Sequence, residues 1–300
     1  MWKQDKPDVV HIATEGPLGW SALKTAQKLD IPISTDFRTN FHTYSTHYGV
    51  GWLGSIIKAY LRRFHNAANS TMVPTSQLKQ ELTHAGFEKL HVVQRGVDTH
   101  VFSPMKRSNA LRAAWGATKS TTVAICVSRL AAEKNLHMVI SAFQAIKFKK
   151  PDAKLVFVGD GPILQQLKID APDAIFAGFR TGEDLATHYA SADLFLFASL
   201  SETFGNVTIE AMASGLPIVA FNHAAAGEII ESHVNGILAK SNDEASFLDA
   251  AIEIVLDSDL RKTCAQGARD KALQFSWESI LKKTETVLYG IVNTKFSTIQ

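Results

Sequence analysis

This 300-residue chain is short of several things that would each have placed it at once. It has 2 cysteines, Cys126 and Cys264, far apart and in no metal or redox spacing. A disulfide-stapled scaffold is excluded, and a reducing compartment is the simplest reading. Neither charge is in excess: 31 Lys and Arg face 29 Asp and Glu, for a net charge of +2. Such a balance exerts no global pull toward nucleic acid. No apolar run is long enough to read as a membrane-spanning helix. The first residues, MWKQDKPDVVH, carry charges and a proline without an apolar stretch, so no secretory leader is expected. There is no internal repeat and no low-complexity segment. The hydrophobic fraction of 46% and charged fraction of 20% exclude intrinsic disorder.

What is present is an alternation of short apolar runs with longer amphipathic ones. Strands are expected at Val9–Ala13, Pro32–Phe37, Ser70–Pro74 and His91–Gln94. Helical periodicity lies between them at Leu18–Leu29, Leu53–Asn66 and Thr75–Ala85. The scheme then repeats, with strands expected at Thr122–Val127, Lys154–Val158, Ala174–Ala177, Leu194–Ala198, Pro217–Ala220 and Gly236–Ala239. Unbroken apolar runs such as VAICV and LFLFA fit parallel strands buried on both faces. Strands alternating with helices argue for α/β, doubly wound sheets.

Arg95–Pro104, RGVDTHVFSP, has no period and reads as a linker. It separates a first domain at 1–94 from a second at 105–276. A helical pattern at 277–292 is expected to pack back toward the first domain, and the polar residues after it are expected to fray. The second domain has strands enough for a complete doubly wound sheet, and the first does not. Two or three βα units, on the order of 60–90 residues, are expected to be absent at the front.

Three loops at the ends of buried strands carry chemistry. In Ser201–Pro217, SETFGNVTIEAMASGLP, Glu202 lies in the loop, and Gly205, Asn206 and Val207 offer free amides at a helix start, where anions bind. Glu210 follows in the second turn, where a carboxylate can accept both hydrogen bonds of a vicinal diol. The same acids also suit a plain helix start, complementing its dipole. In Val127–Asn135, VSRLAAEKN, Arg129 and Lys134 are two cations able to neutralise a diphosphate. They also read as surface cations paired with Glu133. In Val158–Pro162, VGDGP, Gly159 and Gly161 permit close approach of a ring or phosphate, or simply a tight turn. Loops from successive strands face one crevice, and together they describe a pocket for a nucleoside diphosphate.

In order, Ser128–Asn135, Val158–Pro162, Phe176–Phe179 and Glu202–Pro217 resemble the motifs of the retaining family-four glycosyltransferases of GT-B fold. The hinge-like RGVDTHVFSP and the front segment PDVVHIATEGPLGWSAL resemble that family too. The resemblance implies two Rossmann-like domains, the first incomplete here, and a glycosyltransferase moving mannose or glucose from GDP-mannose or UDP-glucose to a glycan or lipid. It implies that Arg129 and Lys134 grip the diphosphate and stabilise the leaving group, which needs preorganised positive charge. Glu210 would hold the ribose. Glu202 and the backbone of Phe204, Gly205, Asn206 and Val207 would hold the sugar. Gly178 and Phe179 would lie near the base. Transfer would retain configuration, with neither metal nor other cofactor.

The first domain departs from the family at TDFRTNFHTYSTHYG, where Arg38 stands in place of a histidine that many relatives carry. Arg38, Asn40 and His42 are the acceptor-side candidates; a salt bridge is the other reading of Arg38, and a bland loop role the other reading of His42. Ser55–Asn66, SIIKAYLRRFHN, places Ile56, Ile57, Tyr60, Leu61 and Phe64 on one face and Lys58, Arg62, Arg63 and His65 mostly off it. That suits peripheral contact with the inner face of an anionic membrane, or an ordinary helix packed on a sheet. A cytoplasmic location follows from either reading. A second account of the whole chain stays open: an inactive nucleotide-binding piece lacking its front strands.

Overall fold

A computed structural model describes residues 2–38, 54–200, 202 and 204–297, and for 294–297 the backbone alone. The chain divides into two compact units, Met1–Arg95 with Glu278–Gln300, and Gly96–Trp277. Asn40 and His42 lie outside the described residues.

The first unit holds a parallel sheet in the order β1-β2-β3-β4: β1 (Val10–Ile12), β2 (Ile33–Asp36), β3 (Ser70–Val73) and β4 (Leu90–Val92). Helices α1 (Pro17–Lys28), α2 (Gly54–Asn66) and α3 (Ser76–His84) lie between the strands in sequence. Pro17 at the start of α1 fixes φ where no amide is needed. Strands β2 and β3 are buried along their whole length although they carry Ser34, Thr35, Ser70 and Thr71. Buried polar groups need partners. Thr35 Oγ1 lies 2.9 Å from His65 Nδ1 and 2.8 Å from Thr71 Oγ1, and His65 Nε2 is 3.2 Å from Glu15 Oε1. Asp36, at the end of β2, is buried and ion-paired with both Arg38 (2.8 Å) and Arg95 (3.0 Å). Of the two readings of Arg38, the structure contains the salt bridge.

Helix α2 divides the apolar face read from the sequence. Leu61 and Phe64 are buried, whereas Ile56 is 60% and Tyr60 41% exposed. The final helix, α12 (Trp277–Ser297), runs past the expected frayed end at 292. No Gly or Pro interrupts Ile291–Ser297, and helix propagation adds one hydrogen bond per residue fixed. No helix among the described residues is long and apolar enough to cross a membrane.

The second unit is a six-stranded parallel sheet in the order β10-β9-β8-β5-β6-β7. Its strands are β5 (Val123–Val127), β6 (Lys154–Val158), β7 (Ile175–Gly178), β8 (Leu194–Phe197), β9 (Ile218–Phe221) and β10 (Gly236–Ala239). Helices α4 (Asn109–Ala114), α5 (Leu136–Lys149), α6 (Leu164–Asp170), α7 (Gly182–Ser191), α8 (Asn206–Ala213), α9 (Ala224–Ile229), α10 (Glu244–Leu256) and α11 (Ser258–Leu273) complete it. The unbroken apolar runs are buried at every residue of β5, β8 and β9, as two covered sheet faces require. From β5 the order proceeds one way to β6 and β7 and the other way to β8, β9 and β10. The reversal between β5 and β8 is a topological switch point, where open α/β sheets bind ligands beyond the carboxyl ends of their strands.

Asp257 and Asp259 stand in an Asp-x-Asp spacing, which in other settings ligates metal. Here it opens α11: Asp257 Oδ1 accepts from the amides of Asp259 (3.0 Å) and Leu260 (2.8 Å). Cys126 and Cys264 are both free and buried, and burial pushes the Cys126 thiol up to about 12, leaving it protonated.

The entry edge of the sheet is locked by Arg112. Its Nη1 donates to Ser191 O (2.8 Å) and Asp193 Oδ2 (2.9 Å), and its Nη2 to Thr118 O (2.8 Å) and Thr121 O (2.7 Å). Asp193 Oδ2 also accepts from the Val123 amide at 2.8 Å, at the first residue of β5. Arg112→Met is expected to cost about 3–5 kcal/mol, because it takes a buried cation from Asp193, which keeps Arg107 and the Val123 amide, and leaves the buried Ser191 and Thr121 carbonyls without this donor. Urea melts of the variant and parent check this, and a change below ~1 kcal/mol would contradict it.

Candidate functional site

The loops leaving β5, β6 and β7 and the first two turns of α8 enclose a cavity of about 420 Å³ in the second unit. It is lined by Val127, Ser128 and Arg129 after β5, by Val158, Gly159 and Asp160 after β6, by Phe179 and Arg180 after β7, by Leu185, and by Val207 and Glu210 of α8. Arg129, Gly159, Phe179, Val207 and Glu210 were selected from the sequence, and the fold brings them to one wall-to-wall space at the switch point. Lys134, Glu202, Gly161, Gly178, Phe204, Gly205 and Asn206 are not part of that lining.

Each of the latter has a definite place. Lys134 Nζ and Glu202 Oε1 lie 2.5 Å apart, both mostly buried. Arg129 is ion-paired with the buried Glu133. The two cations therefore already carry carboxylate partners, and an incoming anion must compete with them. Asn135, with positive φ, donates from Nδ2 to Ala198 O (3.3 Å), tying the loop after β5 to the end of β8. Gly205 adopts φ +83 at the start of α8 and, having no side chain, does not itself cap the first-turn amides. Asn206 is exposed beside it, while the Phe204 side chain is core.

The glycines of VGDGP also serve the fold, as the tight-turn reading allows. A Cβ on Gly159 would stand 1.9 Å from Ser128 O, and one on Gly161 2.3 Å from Leu130 O. What approaches closely is the protein's own backbone from the loop after β5, stitched by Leu130 N donating to Asp160 O at 2.9 Å. Gly159 additionally has φ +138, which an L side chain rarely adopts. Gly178 has φ +75 in open space and turns the chain so that Phe179, 74% exposed, lines the cavity.

Sequence reading missed Ser128, Asp160, Arg180 and Leu185 in the lining, and Tyr189 behind it. Arg180 follows the F-x-GF motif directly, which was the available signal for it. Its Nε donates to Ala177 O (2.9 Å), and its guanidinium pairs with Asp184. The Tyr189 hydroxyl donates to Glu210 Oε2 at 3.1 Å, and nothing in its local sequence announces that contact.

Burial raises the Glu210 carboxyl above the usual carboxylate range, and the hydrogen bond from Tyr189 opposes that rise. A carboxyl whose pKa is raised by folding supports the fold only while protonated; that support is lost as pH climbs from the unfolded value through the folded one. Glu210→Gln, which removes the charge and keeps an acceptor for Tyr189, is therefore expected to raise the melting temperature at pH 7.5. The advantage should shrink as pH falls through the raised folded pKa and be gone below the ordinary carboxylate range. Melting curves of both proteins from pH 4 to pH 8 test the sign; a variant less stable at pH 7.5 and equal at pH 4 would reverse it.

The family described as Glycosyl transferases group 1 matches residues 108–271, and Glycosyltransferase Family 4 matches residues 1–101. A GDP-mannose-dependent alpha-mannosyltransferase of Corynebacterium glutamicum is 34% identical over 282 residues, covering 93% of this chain and 66% of that protein. The protein of the same name from Mycobacterium tuberculosis is 33% identical over 274 residues, covering 90% and 70%. Sulfoquinovosyl transferase of Arabidopsis thaliana is 30% identical over 294 residues, covering 95% and 57%. The chain thus spans 57–70% of the length of these relatives. Among solved structures, sucrose-phosphate synthase from Thermosynechococcus elongatus has a TM-score of 0.82 at 18% identity, covering 98% of this chain and 76% of that one. Anabaena HepE, solved in complex with UDP, has a TM-score of 0.79 at 22% identity, covering 97% and 79%. With its two parallel Rossmann-like sheets and these matches, the chain belongs to the family-4 glycosyltransferases of GT-B fold.

Proposed function

We propose that the second unit binds a nucleoside diphosphate sugar and that the protein transfers its hexose to a glycan or lipid acceptor. The observation that carries this is the cavity at the switch point, in which Arg129, Gly159, Phe179, Val207 and Glu210 converge from four separate segments. A volume of about 420 Å³ is within the range of small-molecule sites. In this reading Arg129 and Lys134 exchange their carboxylate partners for the diphosphate and stabilise the leaving charge. Glu210 holds the ribose hydroxyls. Glu202, released from Lys134, and the first-turn amides of α8 hold the sugar. Phe179 faces the base. Mannose from a GDP-sugar has the support of the mannosyltransferase relatives; glucose, the alternative hexose, has that of an alpha-monoglucosyldiacylglycerol synthase of Streptococcus pneumoniae, 29% identical to this chain.

Retention of configuration and departure of the diphosphate without a metal or other cofactor belong to the same proposal. Their support is the family resemblance and the two cations. On the acceptor side, Arg38 lines a cavity of about 600 Å³ in the first unit together with Glu15, Ile57, Tyr60 and Leu61. Residues 55–66 are proposed to touch the inner face of an anionic membrane, since exposed Ile56 and Tyr60 stand beside exposed Lys58, Arg62 and Arg63. The second reading is a nucleotide-binding piece without transfer activity.

Thermal unfolding with GDP, UDP and ADP separates these accounts. A nucleotide at 100 times its dissociation constant adds about 2.7 kcal/mol, or roughly 5–10 °C for a domain of this size. The shift is expected with one nucleotide and is expected to fall by about half in Glu210→Ala at the same nucleotide concentration. Absence of any shift would overturn the donor site. A shift without transfer from the matching nucleotide sugar would favour the inactive piece. In the active protein, Glu210→Ala is expected to raise KM for the donor, and Glu202→Ala to lower kcat by on the order of tenfold or more. Parent-like kinetics in both variants would remove the assignment.

A further inference from the structure

Tyr189 is a fully buried polar residue with no part in the chemistry proposed above. It lies on α7, and its ring packs edge-on to Phe102 (5.9 Å) and tilted to Phe195 (5.8 Å). Its hydroxyl reaches α8 at two points one turn apart: Glu210 Oε2 at 3.1 Å and Val207 O at 3.4 Å. Both residues line the cavity, so Tyr189 stands directly behind its wall. Apolar packing alone needs a ring here and not a hydroxyl, because a phenol buried without a partner would cost stability.

A single phenolic proton has two acceptors in reach, and the carboxylate is the stronger. Burial and the nearby Glu210 charge push the Tyr189 pKa well up, so the group stays a donor. A glutamate side chain has several rotatable bonds, and its carboxylate plane is set only by what holds it. A vicinal diol presents two hydroxyls in fixed relation, so a carboxylate receives both only when its plane is correctly turned.

We propose that Tyr189 is a positioning residue for the donor ribose: by holding Glu210 Oε2 from behind the cavity wall, it fixes the carboxylate plane that accepts the two ribose hydroxyls. This rests on the donor-site reading. It adds that the preference for a ribonucleotide over its 2′-deoxy counterpart is set by a residue that never touches the nucleotide.

The test compares the binding of GDP with that of 2′-deoxy-GDP, and of UDP with that of 2′-deoxy-UDP, by calorimetry on the full chain. The parent is expected to prefer the ribonucleotide it binds by roughly tenfold. Tyr189→Phe, which keeps the ring, is expected to cut that preference to about twofold by weakening the ribonucleotide and leaving the deoxynucleotide nearly unchanged. Placing 4-aminophenylalanine at 189 restores a donor and is expected to restore the preference. If Tyr189→Phe does not fold, 4-fluorophenylalanine fills the hydroxyl's volume without donating and takes its place. In a Glu210→Ala background, loss of the Tyr189 hydroxyl is expected to change neither nucleotide's affinity.

Equal weakening of ribo- and deoxynucleotide in Tyr189→Phe would reduce Tyr189 to a packing residue and overturn the proposal. So would a parent-like preference in Tyr189→Phe while Glu210→Ala abolishes it, an outcome that leaves the donor site standing. A parent that binds neither ribonucleotide overturns the donor-site reading and this proposal with it.

Discussion

Strand β5 sits between β6 and β8 with all five of its residues buried, and the loops of the candidate site leave from it, from these two neighbours and from β7 beyond β6. Its register is fixed at both ends. At the entry, Arg112 and Asp193 bind the Val123 amide and the carbonyls around it. At the exit, the backbone of Ser128–Leu130 packs so closely on the loop after β6 that Gly159 and Gly161 admit no side chain. A slip of one residue would exchange side chains between the two covered faces and break both ends. The site inherits its geometry from that double constraint, since its walls are what emerge beyond the strand ends.

The electrostatics of the site follow from the same burial. Glu133, Lys134, Glu202 and Glu210 are all substantially removed from water, and each has a partner: Arg129, one another, or Tyr189. Charges so placed cannot remain alone, because the interior screens them poorly. Without ligand the cations are satisfied internally, and the binding of an anion is a trade of partners within an organised set. Preorganised charge of this kind needs little rearrangement when a leaving group develops charge.

The first unit uses buried polarity differently. Its two central strands carry serine and threonine inward, and the threonine hydroxyls are met by a chain through Thr71, Thr35 and His65 to Glu15. Arg38 is drawn to Asp36, and Arg95 shares that carboxylate. The cavity of the first unit therefore has an arginine in its lining whose position is set by the end of β2.

Ten strands and the switch from one sheet to a second were legible in the sequence. Buried parallel strands leave unbroken apolar runs such as VAICV and LFLFA, and strand-to-helix loops announce themselves through Gly, Arg and Glu at fixed offsets. Arg129, Glu202 and Glu210 stood out for that reason. The end of α12 did not, since nothing local distinguishes a polar helical turn from a frayed one. The split of α2 into buried Leu61 and Phe64 and exposed Ile56 and Tyr60 was equally hidden, because periodicity gives a face but not its depth. The pairing of Lys134 with Glu202, 68 residues apart, exists only because β5 and β8 are neighbours in the sheet. The hydroxyl of Tyr189 met Glu210 by the same route, through the packing of α7 beside α8. The sequence by itself determined the elements and the chemical groups at their ends, since these depend on local pattern and residue type. Only the tertiary structure decided which groups meet, since strand order is chosen by the burial of whole faces and leaves no mark on the neighbouring residues.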